Sequence, residues 1–171
     1  YSTVVIKRGD LVGDDLRATA FETHRELMKI GKPVDRYEWE MTPPTVNAYY
    51  RAPMNDITFP AGILQPPFFD KTIDDPVNEG GIWAVIGHEL THGFDFQGSQ
   101  YDKDGNFKSW WTTEDRTEFD KRTDCIVDEY AGFTAVDDVH LNGKLTLGEN
   151  TADNGGLRIA YMALKDSMKG K

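Results

Sequence analysis

His88-Glu89-Leu90-Thr91-His92 places two imidazoles one helical turn apart with a carboxylate between them. Residues i and i+4 share a helix face, so His88 and His92 can grip one metal ion while Glu89 turns toward a water on its open side. Zinc accepts imidazole nitrogen and carboxylate oxygen at about 2.0–2.2 Å, and a catalytic zinc keeps three protein ligands with water in the fourth position. Glu149, opening the string Glu149-Asn150-Thr151-Ala152-Asp153, is the candidate third ligand. Asp153 follows on the same face of that second helix, where it could accept the spare N–H of a ligand histidine and fix its tautomer. Asp95, three residues past His92, could serve the other histidine.

A His-Glu-x-x-His string alone also describes two surface histidines on an ordinary helix. Here the preceding run Gly81-Ile82-Trp83-Ala84-Val85-Ile86-Gly87 is almost wholly apolar and suits a helix buried on most sides. Ionisable groups in such surroundings must be paired or bind metal. Together with the Glu-x-x-x-Asp element, these residues point to a site for one zinc ion.

Longer strings carry a resemblance. Asn47-Ala48-Tyr49-Tyr50, Phe59-Pro60-Ala61-Gly62-Ile63-Leu64-Gln65-Pro66-Pro67-Phe68-Phe69, the zinc helix through His92-Gly93-Phe94-Asp95, Trp110-Trp111-Thr112, His140-Leu141-Asn142-Gly143 and Leu147 to Leu157 resemble the neprilysin family of zinc metallopeptidases. The likeness runs from about Asn47 to Leu164 and weakens before Asn47. It implies an α+β fold: a mostly helical, thermolysin-like core with a small edge β-sheet and two helices bearing the metal ligands. It also implies zinc on His88, His92 and Glu149, a water-activating base at Glu89 and supporting carboxylates at Asp95 and Asp153, the latter counted with the catalytic set. Asn47 and Ala48 match an edge strand that binds substrate backbone, the strand-addition mode of peptide recognition. Ile63, Phe68 and Val85 match the pocket for the side chain just after the scissile bond, which favours large apolar residues.

The implied activity is peptide hydrolysis on the amino side of bulky hydrophobic residues. One departure bears on it. The family also uses a histidine and an arginine well downstream of the third ligand to stabilise the tetrahedral intermediate, and the chain stops short of that region. His24, on an expected surface helix, and His140, outside the family's catalytic set, do not replace them. The family's large helical lobe is likewise outside this sequence. The alternative reading is therefore a zinc-binding but inactive fragment or scaffold, with the remainder of the catalytic domain supplied as another segment or chain.

The 171 residues suit one domain, a catalytic core that could bury roughly 70% of its unfolded surface. No signal peptide or long apolar stretch is present, so localisation follows the resemblance: extracellular, periplasmic or membrane-anchored with an external catalytic domain, intracellular bacterial forms being known in the family. A net charge of -10 argues against nucleic acid and acidic membranes as partners and leaves peptide substrates. The single cysteine, Cys125, has no internal partner. It falls in a helical pattern and is expected to be a buried, inert thiol.

Several elements must position these groups. Leu16, Ala20, Thr23, Leu27 and Ile30 predict a helix near Asp10–Ile30, stopped by Gly31-Lys32-Pro33. Thr45–Arg51 and Asn55–Phe59 read as adjacent strands with Asn47 and Ala48 on an accessible edge. Val77–Phe94 reads as one zinc helix, with Gly87 permitting close packing beside His88. A structural helix begins near Thr112. Another begins near Leu145, where Gly155-Gly156 would allow close helix approach and Leu157, Tyr161, Leu164 and Met168 form a core stripe. Asp102-Lys103-Asp104-Gly105-Asn106 superficially matches a calcium loop, but its glycine is misplaced and Thr113 stands at the twelfth position, so it is expected to be a surface turn. Trp110 and Trp111 are expected to be packing anchors.

Overall fold

The computed structural model describes residues 1–169. The chain divides into two compact units, Tyr1–Trp39 and Glu40–Lys171.

The first unit carries α1, Leu11–Leu27. Asp10 caps it by accepting from the Gly13 amide at 3.2 Å, satisfying one of the donors a helix start leaves open. The expected apolar periodicity is present, yet α1 contains no buried residue.

The second unit is mostly helical with two small antiparallel hairpins, an α+β arrangement. β1 (Tyr49–Arg51) pairs with β2 (Asp56–Thr58) in the register Tyr50↔Ile57, leaving the other edge of β1 outside the sheet. Both strands are shorter than expected, and Asn47 and Ala48 stand just before β1. The helix expected over Val77–Phe94 is three segments: α2 (Asp75–Asn78), a π-helical turn (Glu79–Trp83) and α3 (Ala84–His92). The interruption has a local cause. The Phe68 carbonyl accepts from the Ile82 amide at 2.8 Å and approaches so closely that a β-carbon on Gly81 would strike it; Gly81 leaves helical geometry there, at ψ -105°.

α4 (Thr113–Ala131) begins with a capping box between Thr112 and Asp115, as the expected start near Thr112 requires. α5 (Leu147–Ser167) follows a hairpin of β3 (Thr134–Val136) and β4 (Val139–His140) that periodicity did not reveal. A small core of Ala48, Ile63 and Ile82, with Phe59, Phe68, Val85 and Ile86 packed against it, lies under the β1 approach and α3.

Two expectations are corrected. The stripe on α5 is not core in this chain: Leu157, Tyr161 and Met168 are exposed, and Leu164 is half-buried. Cys125 is an exposed thiol, because the apolar face of α4 turns it outward. Two others hold, the second in part. Asp102–Asn106 is a surface turn, with Asp102 Oδ1 accepting from the Asp104 and Asn106 amides at 2.9 and 3.0 Å. Trp111 is half-buried and packs edge-on against Phe119, as an anchor does, whereas Trp110 meets Phe94 edge-on with both rings more than half exposed, so the anchor expectation holds for Trp111 alone.

Candidate active site

The site forms where α3 meets α5, and the meeting is made through glycine. A β-carbon on Gly87 would lie 2.8 Å from the Gly156 Cα, and one on Gly156 would lie 2.5 Å from the His88 amide nitrogen. Only hydrogen fits at both positions, so the backbones touch and side chains projecting from the two helices converge. Thr91 Oγ1 donates to the Gly87 carbonyl at 2.7 Å and fills the space beside Gly155.

His88 Nε2 and His92 Nε2 lie 2.9 Å apart. Glu149 Oε2 stands 3.3 Å from the first and 3.5 Å from the second. Tetrahedral zinc with bonds of about 2.0–2.2 Å holds its ligand atoms roughly 3.3 Å apart, so the carboxylate separations fit and the imidazoles stand slightly closer. The outer ring nitrogens are occupied by carboxylates: His88 Nδ1 lies 2.8 Å from Asp153 Oδ1, and His92 Nδ1 lies 2.8 Å from Asp95 Oδ2. An ionised carboxylate only accepts, so each neutral ring carries its proton on Nδ1 and turns a lone pair inward at Nε2. Two such lone pairs facing a carboxylate oxygen repel one another unless a cation sits among them. Among the described residues this trio is the group of His, Cys, Asp and Glu side chains able to share a metal ion.

The two supporting carboxylates differ. Asp95 is 4% exposed and its second oxygen accepts from the Gln97 and Gly98 amides at 2.8 and 2.7 Å, which fixes its orientation. Asp153 is an open, solvent-facing group held mainly by His88. The hydrogen bond to Asp95 raises the His92 pKa above its ordinary value; burial opposes this and the charges of Glu149, Asp95 and Glu89 add to it. Glu89 is 5% exposed. Burial pushes its carboxyl above the usual range, against the pull of His88 and His92 and a hydrogen bond from the Tyr50 backbone amide.

Cavities open on either side of this centre. One, of about 720 Å³, is lined by Asn47, Ile63, Phe68 and Val85 together with His88 and Glu89. The other, of about 710 Å³, runs past Asn47 and Ala48 to Tyr50, with His92 and Glu149 on its wall. All the residues singled out in the sequence for metal, proton transfer and peptide binding therefore border one continuous locality. Asn47 Oδ1 is turned back to accept from the Ala48 amide at 2.9 Å, and Ala48 is buried. His24 and His140 are exposed, on α1 and β4.

Sequence reading missed the Tyr50 amide, whose contribution is backbone and leaves no side-chain signature. It also missed Tyr130 and Asn154, which border the Phe68 cavity; Asn154 Nδ2 donates to the Asn150 carbonyl at 2.7 Å and lies 3.3 Å from the Tyr130 hydroxyl. The place of Asn154 next to Asp153 was the available signal.

Comparison with known proteins places the chain in a family. The chain is 49% identical over 163 residues to an endothelin-converting enzyme homolog of Locusta migratoria, covering 95% of this chain and 22% of that protein. It is 55% identical over 140 residues to neprilysin-11 of Caenorhabditis elegans, covering 81% of this chain and 16% of that one. The crystal structure of the Mycobacterium tuberculosis zinc metalloprotease ZMP1 in complex with an inhibitor superposes with a TM-score of 0.92 at 51% identity, over 100% of this chain and 27% of that one. The chain thus spans about a fifth of the length of these curated relatives, and the helical α+β architecture is that of the solved structures. Residues 47–171 match the model of Peptidase family M13, and the chain belongs to that family.

Proposed function

We propose that this chain is the zinc-holding catalytic core of a metalloendopeptidase that cleaves peptides on the amino side of bulky hydrophobic residues. The observation that carries the reading is the convergence of His88 Nε2, His92 Nε2 and Glu149 Oε2, with Asp153 and Asp95 on the outer nitrogens. His88, His92 and Glu149 would hold one zinc ion. When bound, zinc supplies Lewis acidity toward the scissile carbonyl and lowers the pKa of water toward about 7.

The chain's own residues supply the rest. Glu89 accepts the attacking water's proton on its carboxylate and returns it to the leaving amine; a carboxyl raised by burial suits that exchange near neutral pH. Asp153 and Asp95 keep the two imidazoles in the Nδ1–H tautomer. The open edge beside β1, with Asn47 and Ala48, takes substrate backbone by strand addition. Ile63, Phe68 and Val85 receive the side chain after the cut.

By analogy with the family, such a domain would work outside the cell or on the outer face of a membrane. Among the described residues no helix is long and apolar enough to cross one.

A second reading, a zinc-holding scaffold that needs another segment or chain for turnover, is favoured by one observation. Among the described residues, the lining of the two cavities includes, besides its histidines, one cationic side chain, Arg51, which is tied to Asp56 at 2.8 Å. Losing one transition-state donor typically costs about 10²–10³ in rate.

The test is cleavage of an internally quenched peptide library by the zinc-loaded chain, with Glu89→Gln as control. Scission before large apolar residues, reduced about 10²–10⁴-fold in the control, is expected of the peptidase. Silence of the loaded wild type selects the scaffold, and undiminished cleavage by Glu89→Gln removes Glu89 as the base.

A further inference from the structure

The cavity beside His88 and Glu89 has an apolar wall of Ile63, Pro67, Phe68 and Val85, and a neutral polar pair borders it: Tyr130 from α4 and Asn154 from α5. The pair is built with a direction. Asn154 Nδ2 lies 2.7 Å from the Asn150 carbonyl, which only accepts, so the amide nitrogen must face it and donate. That carbonyl belongs to the α5 backbone, so the anchor does not rotate. The second N–H of the same nitrogen is left for the Tyr130 hydroxyl, at 3.3 Å. The Tyr130 ring is half-buried and meets Phe133 edge-on, with ring centroids 5.6 Å apart. A hydroxyl that accepts from Asn154 keeps its own proton to donate, and among the described residues no acceptor takes it. Accepting one hydrogen bond also strengthens the next one donated.

We propose that Tyr130 is a specificity-determining residue: its hydroxyl donates to an acceptor at the tip of the substrate side chain after the cut, so the site takes tyrosine there in preference to phenylalanine. The inference rests on the peptidase reading of this centre. Binding pockets are mostly apolar with a few placed polar groups that fix orientation, and this wall has that composition. A hydrocarbon ring filling the cavity strips water from the Tyr130 hydroxyl and leaves its proton unpaired, whereas a phenol returns an oxygen to it. The other polar groups on the cavity, His88, Glu89 and Asp153, belong to the metal centre, where Asp153 holds the His88 ring at 2.8 Å.

The experiment uses the zinc-loaded chain and two dipeptide hydroxamates that place tyrosine or phenylalanine directly after the zinc-binding group. Affinity is read by calorimetry and so does not depend on turnover. Wild type should bind the tyrosine compound roughly three- to tenfold tighter than the phenylalanine compound. Tyr130→Phe should bring that ratio to about one while keeping its affinity for the phenylalanine compound. Asn154→Asp should remove the preference by a different route, because the new carboxylate only accepts and takes up the Tyr130 proton. A side chain that merely braced α4 against α5 would, when replaced, weaken both compounds together and leave the ratio unchanged. A zinc-loaded wild type that binds neither compound would overturn the peptidase reading and this proposal with it. Binding of both compounds with a ratio near one in wild type, or a tyrosine preference that survives in either variant, would overturn the proposal alone.

Discussion

Gly87 and Gly156 touch backbone to backbone, with 2.8 Å between the Gly156 Cα and the place a Gly87 β-carbon would occupy. Because Glu149 and Asp153 ride on the same helix as Gly156, that contact sets how far they stand from His88 and His92. Gly156→Ala should push α5 away, destabilise the fold by about 1–3 kcal/mol and weaken zinc binding beyond what the stability loss explains. Gly155→Ala meets only the Thr91 side chain, which can give, and should be milder on both counts. Thermal unfolding of the metal-free chain alongside zinc competition titrations separates the two effects; equal behaviour of the two variants would remove the glycine contact as the spacer.

Asp153 and Asp95 make the same 2.8 Å contact to a histidine from very different surroundings. Asp153→Ala should lower zinc affinity by about 10–100-fold and leave the stability of the metal-free chain nearly unchanged, since its side chain is 71% exposed. Asp95→Ala should lower both, because Asp95 also holds the Gln97 and Gly98 amides. Metal-free unfolding curves that coincide for the two variants would contradict the distinction.

The raised pKa of His92 gives a pH dependence with a definite sign. A cationic imidazole favoured in the folded state contributes stability that is fully present below the unfolded value of 6.5 and is lost as pH rises through the higher folded value. Carboxylates with lowered pKa, such as Asp102, are ionised in both states over that window and do not mask it. The metal-free chain should therefore lose stability above about pH 6.5, while zinc affinity rises as the competing proton leaves. Unfolding midpoints across this window, with His92→Gln as the reference, check the slope; an identical slope in the variant would assign it elsewhere.

Cys125 should react in the native chain with a neutral alkylating reagent at a rate close to that of the unfolded chain, as an exposed thiol does. Cys125→Ser should change stability by no more than about 0.5 kcal/mol. Protection of the native thiol would restore the buried reading.

What the sequence made legible was local and periodic. One helical turn separates His88 from His92 and Glu149 from Asp153, and glycines at 87 and 156 leave room for backbone contact; those three facts compel the convergence seen between α3 and α5. What periodicity could not give was context. It marked Leu157, Tyr161, Leu164 and Met168 as one face of α5, and a stripe records which side is apolar without recording what covers it; here Leu164 is half-buried and the other three are exposed. The break at Gly81 was hidden because its cause, the Phe68 carbonyl, comes from a distant loop. The β3–β4 hairpin is short and exposed, so it lacks the alternation that burial imposes; its local mark is the positive φ of 49° at Asp137, a residue type that tolerates that region.

Zinc affinity, measured by competition with a chromophoric chelator on wild type, Glu149→Ala and Glu89→Gln, tests the assignment of the metal site most directly. Wild type and Glu89→Gln should each bind one zinc per chain with similar affinity, and Glu149→Ala should lose about a hundredfold or more. Unchanged affinity in Glu149→Ala, or loss of the metal in Glu89→Gln, would contradict the division of labour between ligand and base.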